Sequence, residues 1–215
     1  MYWGFFMPKK NIFIVVFLAG MIPCLAQKIM HKEYDASQVE TLIITSDEIF
    51  TIEIHTGTTA KIMVETNVEG ENYEQVILNT TNDGKVMSLG TSYAPYFEAF
   101  NDKLAAHKLI AIDMKITIPE NIAVQVNAKI ASVDARGSYR NLEVSLENGN
   151  FRLTDFEGNA TVYTKQGDII VYASSDVSGD GISKYGRVKN LLGDSGKYHI
   201  KAESITGDIS LFQTK

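Results

Sequence analysis

The residues best placed to do chemistry are Asn150, Asp168 and Asp208, each directly after a glycine in a recurring motif. Aligned along one edge of a repetitive fold, such side chains could bind calcium, or act as acid and base on a polysaccharide. The same residue types also cap tight bends by accepting hydrogen bonds from nearby backbone N–H groups. Arg187 takes the equivalent place in one repeat and leaves the row incomplete, which favours capping. Asp176-Val-Ser178-Gly-Asp180-Gly181 matches the first half of a calcium loop, but Arg187 stands where the terminal glutamate is needed, so an acidic turn is expected. His31, His55, His107 and His199 lack metal-ligand spacing. No nucleophile elbow, phosphate loop or dinucleotide fingerprint occurs. The expectation is no catalytic residue, no cofactor and no metal site.

The elements that carry these residues repeat. Five centres, Ala131, Gly149, Gly167, Gly186 and Gly207, are spaced by 18, 18, 19 and 21 residues. Two residues beyond each lies an apolar side chain: Val133, Phe151, Ile169, Val188 and Ile209. Upstream, alternating positions are filled by Val124, Val126 and Ala128, then Leu142, Val144 and Leu146, and so on. Asn141 and Asn159 each fall eight residues before a centre and suit a second bend. A period near 20 with alternating apolar residues is the pattern of a stacked β-coil, two short strands per turn. An antiparallel sandwich also recycles turn glycines, but six matching positions across three repeats favour the coil. The fourth repeat, around Gly186, is degenerate, and Val177 to Gly181 and Asn190 to Gly196 are expected to bulge outward.

The upstream half reads as strands. Phe50 to Ile54, Ile62 to Thr66 and Gln75 to Leu78 are strand-like, and Ile110 to Ile118 alternates without error until Pro119. Asn82-Asp83-Gly84 between two apolar runs predicts a hairpin. The stretch Ser92 to His107 breaks the style. It holds Tyr93, Tyr96, Phe97 and Phe100, and Asp102 to His107 suits a helical turn or two. Exposed aromatics of this kind stack on sugars or fill a partner's pocket, so these four are the candidate partner-binding residues. Their alternative role is to cover an open edge of the coil stack.

Residues 1–26 read as a secretory signal peptide, with Lys9 and Lys10 before an apolar run of 11 residues and cleavage after Ala26. Met7 offers a second start. Lipidation at Cys24 is the alternative, with Pro23 a poor fit before it. Removing this segment removes two lysines and no acid, so the net charge of −6 becomes −8, and no cysteine remains. That balance argues against nucleic acid and anionic lipid as partners.

The run Lys115-Ile-Thr-Ile118-Pro119, followed by Asn148-Gly149-Asn150-Phe151-Arg-Leu153, Gln166-Gly167-Asp168-Ile169 and Thr206-Gly207-Asp208-Ile209-Ser-Leu211, resembles the bacterial adhesin-like family of exported β-solenoid domains, the DUF4097/DUF2807 group. The resemblance covers roughly residues 38 to 213. It implies an all-β chain folded as a single-stranded right-handed parallel β-helix (β-solenoid), with antiparallel strands and a hairpin in the N-terminal half. The implied organisation is a signal peptide (1–26), a polar lead-in (27–37) and one domain (38–215). Strands and a loop fill 38–120 of that domain, and coil repeats fill 121–213. The resemblance supplies no catalytic residues and places the chain in the periplasm, at the outer membrane or outside the cell. The expected function is a non-enzymatic binding or structural module, its partner a glycan or an envelope protein. A polysaccharide-active β-helix enzyme and a self-associating surface protein are the alternatives.

Overall fold

The computed structural model describes residues 27–70, 73–95 and 110–214. The segment read as a signal peptide, the candidate residues Tyr96, Phe97 and Phe100, and the stretch expected to make a helical turn, Asp102 to His107, lie outside the described residues. The described chain is all-β. Its strands are β1 (Gln27–Asp35), β2 (Thr41–Ser46), β3 (Thr51–Gly57), β4 (Lys61–Gly70), β5 (Val76–Asn82), β6 (Val86–Tyr93), β7 (Ile110–Pro119) and β8 (Ala123–Ala128), then β9 (Ser132–Asn148), β10 (Phe151–Gln166), β11 (Ile169–Ala173), β12 (Val177–Ser183), β13 (Val188–Asn190), β14 (Tyr198–Thr206) and β15 (Ile209–Gln213).

Two ladders organise these strands. One runs β5-β6-β2-β8-β9-β10-β14-β12, the other β1-β4-β7-β3-β9-β10-β11-β15-β13. β9 and β10 belong to both because each turns a corner within its length. β9 turns near Gly137 (φ 108°), and β10 turns through Asp155 (φ 48°) and Gly158 (φ 142°), where its register with β9 shifts. Inward side chains of both ladders merge into one core. The strict alternation read from sequence is what builds it: Leu142 and Val144 on β9, and Phe151, Leu153, Ala160 and Val162 on β10, are all buried. Each Val, Leu or Phe among them contributes roughly 1.5–3 kcal/mol when taken out of water, and Ala160 less.

Parallel pairing dominates the second half, with Phe151 beside Val133 and Ile169. Antiparallel pairing is confined to β1–β4, β4–β7 and β5–β6. The predicted hairpin forms, and Gly84 (φ 97°) occupies its turn, where Asn82 Oδ1 accepts from the Gly84 N–H at 2.8 Å. Two expectations need correction. Gln27–Asp35, read as a polar lead-in, is the strand β1, because it pairs with β4 along its full length. The N-terminal half is also not purely antiparallel: β2 lies parallel between β6 and β8, and β3 parallel between β7 and β9.

The passes are not stacked in chain order. Apart from the antiparallel strands β1, β4 and β5, each pass places one strand in the first ladder and then one in the second. The β2–β3 pass sits between the β6–β7 pass and the β8–β9 pass. At the other end, β14–β15 inserts directly against β10–β11, and β12–β13 is pushed outside it. The degenerate fourth repeat is therefore a terminal pass rather than a bulge. The cause lies in its inward residues. β14 and β15 offer Ile200, Ala202, Ile209 and Leu211, all buried, to fill the space between ladders. β12 offers one buried apolar side chain, Val177, and then Gly179 and Gly181, which fill nothing. A Cβ on Gly179 would lie 3.1 Å from Leu192, and one on Gly181 would lie 3.0 Å from Val188. Asn190 Nδ2 donates to the Gly179 carbonyl at 2.6 Å across the gap. The two ladders pinch together here and close the core.

Candidate functional site

The bend residues form one column, in the order Ala131, Gly149, Gly167, Gly207, Gly186. A Cβ on any of its four glycines would overlap the carbonyl oxygen of the preceding bend. Glycine is thus required by backbone stacking, and Gly149, Gly167 and Gly207 also carry positive φ (149°, 152° and 151°).

Beside this column runs a ladder of side-chain oxygens. The Asn150 N–H donates to Ser132 Oγ (3.4 Å), and the Asp168 N–H to Asn150 Oδ1 (2.9 Å). The Asp208 N–H donates to Asp168 Oδ1 (2.7 Å), and the Arg187 N–H to Asp208 Oδ1 (2.8 Å). The guanidinium of Arg187 closes the ladder with two bonds to Asp208 Oδ2, at 3.1 and 2.7 Å. Arg187 ends the row rather than interrupting it. Its backbone N–H first, then its guanidinium, hold the Asp208 carboxyl below the ordinary 3.8. One oxygen of each of Asn150, Asp168 and Asp208 satisfies a backbone donor of the next pass, which is the capping role. Asn159 does the same at the second bend, accepting from the His199 N–H at 3.0 Å.

The segment resembling a calcium loop is not the expected turn. Val177–Ser183 is strand β12, and Asp180 Oδ2 sits 3.2 Å from His199 Nε2. Among the described residues no group of three or more His, Cys, Asp or Glu side chains could hold a metal ion.

Of the predicted aromatic cluster, Tyr93 alone is described. It ends β6, half-buried against the core, and burial first and Glu48 second push its hydroxyl pKa up.

Sequence reasoning missed the outer faces. The second ladder's outer face carries a charge row across adjacent strands: His31, Glu65, Lys115, Glu53, Asp134 and Arg152. Its members pair among themselves, His31 with Glu65 at 3.5 Å, Lys115 with Glu53 and Arg152 with Asp134 at 4.0 Å. The first ladder's outer face is different. Gln125 and Asn127, Glu143 and Ser145, Thr161 and Tyr163 stand side by side on three parallel strands. They line an open depression of about 240 Å³. Tyr163 is 37% exposed in its midst. The signal for this site was available in the sequence, as the residues between the apolar positions of each repeat.

A buried tyrosine locks the corner between the faces. The Tyr139 hydroxyl donates to the Ile54 carbonyl at 2.7 Å and accepts from the Arg136 N–H at 3.2 Å. Burial pushes its pKa well up, so it stays neutral.

No family model matches the chain, and no curated protein matches it. Solved structures do. The chain is similar to a "putative cell adhesion protein" from Clostridium sporogenes at 14% identity, covering 87% of this chain and 100% of that one, with a TM-score of 0.63. A "putative adhesin" from Bacteroides fragilis (14% identity, 87% and 97% covered) gives a TM-score of 0.37. A "putative lipid binding protein" from Parabacteroides distasonis (13% identity, 87% and 97% covered) gives 0.38. The Clostridium likeness concerns the fold alone, and the other two TM-scores are too low to carry an argument.

Proposed function

We propose that this chain is an exported, non-enzymatic, adhesin-like binding module that recognises a glycan through the outer face around Tyr163. In this reading the fold is a right-handed single-stranded β-solenoid of the DUF4097/DUF2807 kind. The parallel register of β8, β9, β10 and β14 supports that reading. The observation that carries the function is the division of labour between bends and faces. Asn150, Asp168 and Asp208 have their side-chain oxygens tied to backbone N–H groups. The Tyr163 face has a ring flanked by amides, a carboxylate and hydroxyls on strands spaced ~4.8 Å apart. A flat polymer needs such a combination, a ring to stack on and hydrogen-bonding groups beside it. The Clostridium protein's name agrees with this reading. The Tyr93 to Phe100 segment is kept as a secondary partner contact in the same proposal.

A glycan array tests it. The chain should retain at least one polysaccharide, and Tyr163→Ala should abolish that retention while Asp168→Ala leaves it in place. Retention that survives Tyr163→Ala, or turnover of the bound glycan that stops in Asp168→Ala, would reverse the assignment.

A further inference from the structure

Ten large apolar side chains stand exposed among the described residues, and four of them belong to the ten-residue stretch 182–191 of the terminal pass. They are Ile182 (63%), Tyr185 (72%), Val188 (43%) and Leu191 (56%). The same stretch contains Lys184, Arg187 and Lys189 and no acid, in a chain whose net charge is −6. Lys184 Nζ lies 5.1 Å from the Tyr185 ring centroid, and Lys189 Nζ lies 5.3 Å from that of Phe212. One acid, Asp208, answers Arg187, and among the described residues neither Lys184 nor Lys189 has an ion-pair partner. Net charge is an average over the molecule, and screening confines each charge's reach to about 8–10 Å. A local cationic patch therefore acts on its own.

We propose that this terminal pass docks the molecule onto an anionic phospholipid surface. Lysines would face the headgroup phosphates, Tyr185 would sit at the boundary, and Ile182, Val188 and Leu191 would dip among the first acyl carbons. Protruding aliphatic side chains gain from hydrocarbon and little from a sugar polymer, which favours lipid over an acidic polysaccharide. The free backbone edge of β12 and β13 limits the depth. Ser178 bridges Gly193 there and the Gly179 carbonyl accepts from Asn190, but the edge has no further strand partner among the described residues, and its remaining N–H and C=O groups need water or phosphate, so contact is interfacial and not spanning. A second copy fits less well, because a two-fold pairing of these edges would set like lysines against each other and edge lysines resist strand addition. The surface is distinct from the Tyr163 face, and each proposal can fail without the other.

The test uses the full chain in a Cys24→Ser background. A polarity-sensitive fluorophore is attached at Tyr185→Cys, and in a separate protein at Ile29→Cys on the opposite end of the stack. Vesicles are phosphatidylcholine with or without phosphatidylglycerol. The expected result is a blue shift at position 185, absent at 29, that requires phosphatidylglycerol. Lys184→Glu/Lys189→Glu should weaken it at least about tenfold. Ile182→Ser/Leu191→Ser, which keeps the charges, should retain attraction but lose most of the shift. Any of three outcomes overturns the proposal: equal shifts at both positions, a shift that appears with protein concentration without vesicles, or a response to an acidic polysaccharide with none to vesicles.

Discussion

In the middle of the stack glycine lets one backbone lean on the next; in the terminal pass it lets two ladders fall against each other. At Gly149, Gly167 and Gly207 the missing Cβ is replaced by a carbonyl oxygen of the preceding bend, in a φ region that other residues seldom adopt. At Gly179 and Gly181 no positive φ is needed and the space is looser: a Cβ would meet the Ile200 carbonyl and Leu192 at 3.1 Å in the first, and Val188 at 3.0 Å and Ile209 at 3.2 Å in the second. The first arrangement permits unlimited repetition. The second ends it, since a pinched pass leaves no interior for another to build on. The terminal pass uses glycine both ways: Gly186 leans on the Gly207 carbonyl like the middle bends, and Gly179 and Gly181 add the pinch.

The sharpest way to break this comparison is Gly167→Ala. The new methyl meets a backbone carbonyl that cannot turn aside, and the φ of 152° adds strain. The expected loss is about 3–5 kcal/mol, read as a large fall in the urea midpoint or as failure to fold. Tyr139→Phe comes next. It strands the Ile54 carbonyl at the corner and should cost about 1–3 kcal/mol with no change in the slope of unfolding. Gly181→Ala should cost only about 1 kcal/mol, because the Val188 side chain at 3.0 Å can move. If Gly181→Ala proved as damaging as Gly167→Ala, the distinction between the two uses of glycine would fail.

The smallest expected effect is pH-dependent. The Asp208 carboxyl is held below its ordinary value, so its contribution is present above about pH 4 and fades as pH falls through the lowered folded value. Asp208→Ala should lower the unfolding midpoint at neutral pH, and the difference from the parent should shrink towards pH 2. A difference independent of pH would mean that the bond to the Arg187 N–H contributes nothing through the charge.

The periodic strands were legible because burial has period two, and Ile110 to Ile118 or Leu142 to Leu146 alternate cleanly. The bend chemistry of Asn150 and Asp168 was legible for the same reason, since their place after the glycine repeats. The order of passes was not. Nothing in the spacing of 18, 18, 19 and 21 says that Gly207 stacks on Gly167 and Gly186 on Gly207; that depends on which pass can fill the core, a comparison of Ile200 and Ala202 with Gly179 and Gly181. The strand character of Gln27–Asp35 was hidden because an edge strand need bury little, and Ile29 remains exposed. The Tyr163 face was not legible because the repeat shows in its apolar positions, while the proposed glycan contact uses the residues between them.

The displaced fourth pass is the claim on which the cap, the pinch and the lipid-facing patch all depend. Paired cysteines test it directly in a Cys24→Ser background. Ile170 and Ser210 are register partners on neighbouring strands, and Lys189 lies one strand further out. Neighbouring strands are ~4.8 Å apart, within disulfide reach, and next-but-one strands at twice that are not. Ile170→Cys/Ser210→Cys should therefore cross-link readily under mild oxidation, and Ile170→Cys/Lys189→Cys should stay reduced. The reverse pattern would mean that the passes stack in chain order and would contradict the account.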